Sequence, residues 1–325
     1  MGYICLKYLP ISSLEKYRTK ILFRLQPAKR WLKKHSFPGF KGRSLYDVGK
    51  FFIDSLFDAD LMLRASSLAF NFFLALFPSI IFLFTVIAYI PIIDFQSDLL
   101  IQIKRLLPTN AYEVLLGTID DILNNQNLSL LSFGFILALY FSSNAFNSMM
   151  TAFDKYALSH QKRSWYIARL RSIGLTLLVA LIVLASVAII TVVTISISWM
   201  KKQQYVDEQF NVLLLEILQY ASIFALIYFV YSSLYYFGST KVAEWKFFSV
   251  GSTLATILSV IASAGFTFYV NSFNSYNKLY GSIGTILVLM VLIYFNCIML
   301  LVGFELNSSI DRAEIKSIKP EHDLN

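Results

Sequence analysis

Six side chains capable of ionic or hydrogen-bond chemistry stand in or at the edges of long apolar runs of this sequence: Arg64, Asn71, Asn144, Asn147, Asn296 and Glu305. Arg64 opens the stretch RASSLAFNFFLALFPSIIFLFTVIAYIPII, which carries no further charge until Asp94, and Glu305 closes the last apolar run. A guanidinium and a carboxylate can share two parallel charge-assisted hydrogen bonds, and an unpaired ion in hydrocarbon is costly. A direct or water-bridged Arg64–Glu305 contact is therefore the expected arrangement. The competing one has each side chain reaching separately to lipid headgroups. Asn144 and Asn147 are three residues apart and leave a helix in the same direction. Any one amide could simply hold helices together. Gathered with Arg64 and Glu305, the four would line a polar, ligand-binding cavity open to the cytoplasm, beside which Pro78 bends its helix as a hinge and frees a backbone carbonyl.

Other chemistry finds no support. His35, His160 and His322 are far apart, without carboxylates at metal-ligand spacing, so neither a metal site nor a hydrolase built on one is expected. There is no glycine-rich phosphate loop and no nucleophile elbow, which speaks against ATP-driven pumping by this chain and against serine chemistry. No cofactor and no catalytic residue is expected. The basic first segment, with Tyr3, Tyr8, Tyr17, Phe23 and Trp31, lacks an RNA-binding module or catalytic acids, so nucleic acid is not an expected partner. Cys5 and Cys297 imply no disulfide framework.

The elements that must position these residues follow from composition. Hydrophobic residues make up 57% and charged residues 15% of 325 positions, against roughly 25% charged in soluble domains. Six apolar runs (64–93, 122–153, 172–200, 217–240, 247–277 and 279–304) are each long enough to cross a bilayer core of ~30 Å. They are continuously apolar, without the alternation of a β-barrel, and too long for a soluble core. The expected fold is all-α: a polytopic membrane protein with a six-transmembrane-helix bundle. The predicted inner segments hold 22 Lys or Arg against 5 in the outer ones, with Arg64 at the boundary. Both termini are thus expected in the cytoplasm. The first apolar run begins too late for a secretory signal, so the first crossing is expected to stay attached.

The organisation that follows is a basic cytoplasmic segment over 1–43, a transmembrane domain over 44–310 and a cytoplasmic tail over 311–325. Eleven Lys or Arg against the single acid Glu15 give the first segment either an orienting role or a specific role in lipid binding. From Leu45 to Leu63 charged and apolar residues fall on separate sides, predicting an amphipathic helix along the inner surface. The acidic stretch 94–127, split by Pro108, predicts an external cap of two short helices. Asp207, Glu208 and Glu216 read as interfacial. Gly251, Ala255, Ser259 and Ser263 recur every four residues and predict a narrow stripe for close helix approach. Gly281 and Gly284 predict either the same use or a sharp entry from a turn over Asn271–Lys278. SSLAFN at Ser66 and SSNAFN at Ser142 match at five of six positions, but lie on helices of opposite direction and do not make an inverted repeat.

Four stretches carry a family resemblance: RASSLAFNFFLALFPSI (64–80), SSNAFNSMMTAFDKYA (142–157), RSWYIARLRSIGLTLL (163–178) and YGSIGTILVLMVLIYFNCIMLLVGFELN (280–307). Together, over about Asp47 to Ile310, the chain resembles the YihY/virulence factor BrkB family of bacterial inner-membrane proteins, formerly labelled ribonuclease BN. The resemblance implies six transmembrane helices, a plasma-membrane location and no agreed activity, with links in some members to virulence, serum resistance or transport of envelope lipids. The chain departs from the family's proline-asparagine turn after the fourth helix, having Phe237, Gly238, Ser239, Thr240 and Lys241 instead. With the polar residues above, it points to a protein that binds or moves an amphiphilic envelope lipid without its own ATPase. Membrane lipids and envelope proteins are the expected partners. A structural scaffold is the alternative, and a membrane ribonuclease, carried only by the old label, a distant one.

Overall fold

The computed structural model describes residues 26, 27, 29–88, 128–154, 164–202, 208–239, 247–272 and 275–318. Seven helices are α1 (Leu45–Leu56), α2 (Ala59–Ala88), α3 (Leu128–Asp154), α4 (Trp165–Lys202), α5 (Glu208–Gly238), α6 (Val250–Ser272) and α7 (Ser275–Ile318). A further helical turn lies at 29–34, and no strand occurs among the described residues. The external cap expected over 94–127, the first 25 residues, the Lys155–Arg163 connection, Lys241 to Lys246 and His322 lie outside them.

Among the described residues five helices, α2, α4, α5, α6 and α7, are long and apolar enough to cross a membrane. The chain is an all-α, multi-pass membrane protein. The remaining expected crossing, α3, has spanning length at 27 residues but carries Ser142, Ser143, Asn144, Asn147 and Ser148 in its second half. Polar groups at membrane depth need protein neighbours. α3 has them: it packs chiefly against α2 and α4 and also meets α5.

The chain divides into two compact units, one built from the residues before 59 and from 305 onwards, the other from 59–304. The larger unit has its core where α2, α3, α5 and α7 bring together Leu68, Phe146, Met149, Phe153, Tyr235, Leu301 and Phe304. Phe153 stacks face to face on Phe304 with ring centroids 3.9 Å apart. Leu170, Leu181, Ile195 and Phe268 point outward and are well exposed, as side chains facing acyl chains must be. The predicted small stripe is used. A Cβ added at Gly303 of α7 would come within 2.5 Å of the Gly251 carbonyl oxygen and of the Tyr235 hydroxyl, and 2.7 Å of the Ala255 Cβ. Hydrogen alone fits there, so α7 and α6 approach to backbone contact. Tyr231 Oη lies 2.5 Å from Ser259 Oγ, and Tyr235 donates to the Leu300 carbonyl at 2.7 Å, tying α5 to both neighbours.

Three boundaries differ from the sequence expectation. The amphipathic helix ends at Leu56, not Leu63. The Phe57 and Asp58 amides close it by donating to the Ile53 and Ser55 carbonyls respectively, and a new helix starts at Ala59, so residues 59–63 belong to α2. The turn expected over Asn271–Lys278 shrinks to the step between Ser272 and Ser275, which leaves Gly281 and Gly284 inside α7. α7 itself runs on through Ile318, a length of about 66 Å at 1.5 Å per residue, so the expected tail is helical as far as that residue.

The smaller unit is organised by polar contacts to this end of α7. Ser44 caps α1, its hydroxyl accepting from the Asp47 amide at 3.1 Å and donating to the Asp47 carboxylate at 2.6 Å. That arrangement satisfies one orphan amide of the first turn and places a negative charge at the positive helix end. Ahead of it, Gly39 (φ 95°), Lys41 (φ 51°) and Gly42 (φ 75°) form a left-handed turn. This turn swings the Lys41 ammonium onto Asp311 at 3.1 Å and Glu314 at 2.9 Å. On α1 the side that packs is Val48, Phe51 and Ser55: Val48 and Ser55 are buried, and the Arg312 guanidinium lies 5.7 Å from the Phe51 ring centre.

Candidate functional site

Arg64 leaves α2 one turn after its start and donates from Nη1 to the Ala152 carbonyl at 2.8 Å, with Nε 3.4 Å from the Asp60 carbonyl. Ala152 is among the last residues of α3, whose terminal carbonyls lack partners within the helix. The guanidinium therefore satisfies an acceptor at the negative end of α3. Glu305 belongs to the smaller unit, is fully buried, and lies 3.4 Å from Nη2 of Arg312, two turns further along α7. The same nitrogen donates to Ser55 Oγ at 2.6 Å and Ser309 Oγ at 3.3 Å. Arg64 belongs to the larger unit and Glu305 to the smaller one.

The amides divide by what they bond. Asn71 donates to the Ser67 carbonyl at 2.8 Å and Asn296 to the Leu292 carbonyl at 2.9 Å, both four residues back in their own helices. Asn144 instead bridges helices, its Oδ1 accepting from Arg169 Nη1 of α4 at 2.5 Å. Asn147, one turn on along α3, is half-buried. Pro78 lies inside α2, as the sequence predicts. Its missing N–H leaves the Leu74 carbonyl without the usual helical donor, and the next residue, Ser79, lies 3.3 Å from Ser142 Oγ of α3. The second half of α3, faced by α2 and α4, is where the polar side chains of the larger unit collect.

Arg169 is the member that counting charges hides. It reads as one of several loop cations, whereas the structure places it in the second turn of α4, half-buried, with its guanidinium also 5.0 Å from the Tyr140 ring centre. Two pairs at helical i, i+4 spacing carry the signal: Tyr140 with Asn144, and Trp165 with Arg169.

The profile of the virulence factor BrkB family matches residues 52–324. YfkH of Bacillus subtilis, whose name describes it as ribonuclease-like, is 31% identical over 260 residues, covering 80% of this chain and 94% of its own. A UPF0761 membrane protein of Haemophilus influenzae is 22% identical over 272 residues, 82% of this chain and 96% of that one. Another of Vibrio cholerae matches locally, at 31% identity over 91 residues, 28% of this chain and 31% of that protein. No solved structure matches.

Proposed function

The chain belongs to the virulence factor BrkB family, and from that premise we propose that it binds or moves an amphiphilic lipid of the cell envelope, with no ATPase or other enzymatic activity of its own. The supporting observation is the character of α3. It carries Asn144, Asn147 and three serines in its second half, yet it is the helix surrounded by α2, α4 and α5. A polar strip in the middle of a membrane bundle costs stability unless helix contacts or a ligand use it. In this reading Arg64, Asn71, Asn144, Asn147, Asn296 and Glu305 receive a polar headgroup, Pro78 supplies the hinge, and the protein sits in the inner membrane with both ends in the cytoplasm.

A scaffold reading has an observation in its favour too, since Asn71 and Asn296 bond within their own helices and Arg64 holds the end of α3. Reconstituting the purified protein in liposomes with a headgroup-labelled phospholipid separates the two. Faster transbilayer movement than in empty vesicles, reduced by Asn147→Ala in protein of unchanged helicity, is expected. Movement no faster than in empty vesicles would leave the scaffold. The ribonuclease-like description of YfkH is a statement about that relative. Purified protein is expected to leave tRNA uncut.

A further inference from the structure

We propose that Arg169 holds the phosphate of a membrane phospholipid in the leaflet that meets the start of α4. The inference concerns lipid binding at the α3–α4 surface and stands whether or not lipid is moved.

Arg169 is fixed from one side by neutral groups. Asn144 Oδ1 takes one of its five N–H donors at 2.5 Å, and the Tyr140 ring lies 5.0 Å from its centre. Neither cancels its charge, and among the described residues it forms no ion pair. Arg169 differs in this from Lys41 and Arg312, which meet carboxylates. It is also half-buried in an apolar crossing, in a span that begins at Trp165. At 1.5 Å per residue it stands about 6 Å inside the start of that span. A guanidinium at such a level needs an anion, and its planar fork matches phosphate oxygens.

The surroundings set the depth and the class of ligand. Trp165 and Tyr166, one turn before Arg169 and on its side of α4, are 70% and 76% exposed and pack edge to face on each other. Tyr140 of α3 is half exposed as well. Aromatic rings with a polar edge favour the interface between headgroups and acyl chains. Just beyond, Leu170 is 72% exposed, offering apolar surface where the acyl chain of a lipid held by its phosphate would run. The pinned guanidinium, the interfacial rings and the adjoining apolar side chain together fit a phosphodiester carrying acyl chains better than a free anion.

The test is native mass spectrometry of the full chain released from nanodiscs containing equal amounts of phosphatidylglycerol and a neutral galactosyl diacylglycerol. The wild type is expected to retain phosphatidylglycerol preferentially. Arg169→Gln should reduce that retention about tenfold, the loss expected when one charge-assisted contact goes, at unchanged helicity. Arg169→Lys, which keeps charge but not the fork, should fall between. Equal retention of both lipids by the wild type overturns the proposal, and that arm needs no variant to fold. Retention by folded Arg169→Gln equal to wild type overturns it as well. Displacement of the lipid by millimolar inorganic phosphate would assign the site to the free anion instead.

Discussion

Arg64 of α2 and Arg169 of α4 both donate to α3, and their acceptors differ. Arg64 meets a backbone carbonyl at the end of the helix, whereas Arg169 meets a side-chain amide and a ring. Removing the first strips an acceptor of its donor, so Arg64→Ala is expected to cost on the order of 1–3 kcal/mol in thermal unfolding, which makes it a poor reporter of ligand loss. Lys41 gives a pH signature. Burial alone would lower its ammonium, and Glu314 and Asp311 outweigh that, so it titrates above the ordinary 10.5. A folded value above the unfolded one means that its contribution is whole below pH 10.5 and is lost as the pH climbs through the raised value. Lys41→Met should therefore unfold slightly more easily at neutral pH, by about 1 kcal/mol or less because the pair is partly exposed. The gap between variant and wild type should close in strong base. A gap that persists there would mean that the lysine acts through packing and not through charge.

Between elements, the contact of α6 with α7 is set by what is missing from Gly303. Gly303→Ala places a methyl against the Gly251 carbonyl and the Tyr235 hydroxyl. The backbone has no cheap way to yield, so a loss of about 1–3 kcal/mol is expected, read as a lower thermal midpoint in detergent. Tyr235→Phe removes the hydrogen bond to Leu300 but keeps the ring against Phe304, and interhelical hydrogen bonds in membranes average about 0.6 kcal/mol. The glycine variant is expected to be the more damaging of the two. The reverse order in matched unfolding curves would place the hydrogen bond above the close approach. Half of this joint is legible in the sequence, because Gly251, Ala255 and Ser259 repeat at helical spacing. Gly303 is not, since a single glycine in an otherwise apolar run announces nothing about which backbone will pass beside it.

At the scale of the whole chain, the long helices follow from the order of residues alone, because lipid demands lengths and apolarity that few other settings require. Their partners do not. A carbonyl such as that of Ala152 leaves no mark in the sequence, Asn71 and Asn296 bond into their own helices, and Lys41 reaches Asp311 from 270 positions away. The charge asymmetry does give a testable orientation: reporter tags on the two ends are expected to read out in the same, cytoplasmic compartment. Tags reporting from opposite sides would require an odd number of crossings. The meeting of residues 235, 251 and 303 also bears on biogenesis. It cannot close until the ribosome has released the final stretch of apolar chain, so nascent protein must wait in the bilayer with that seam open. Polypeptides truncated before residue 303 are the ones quality-control proteases should find.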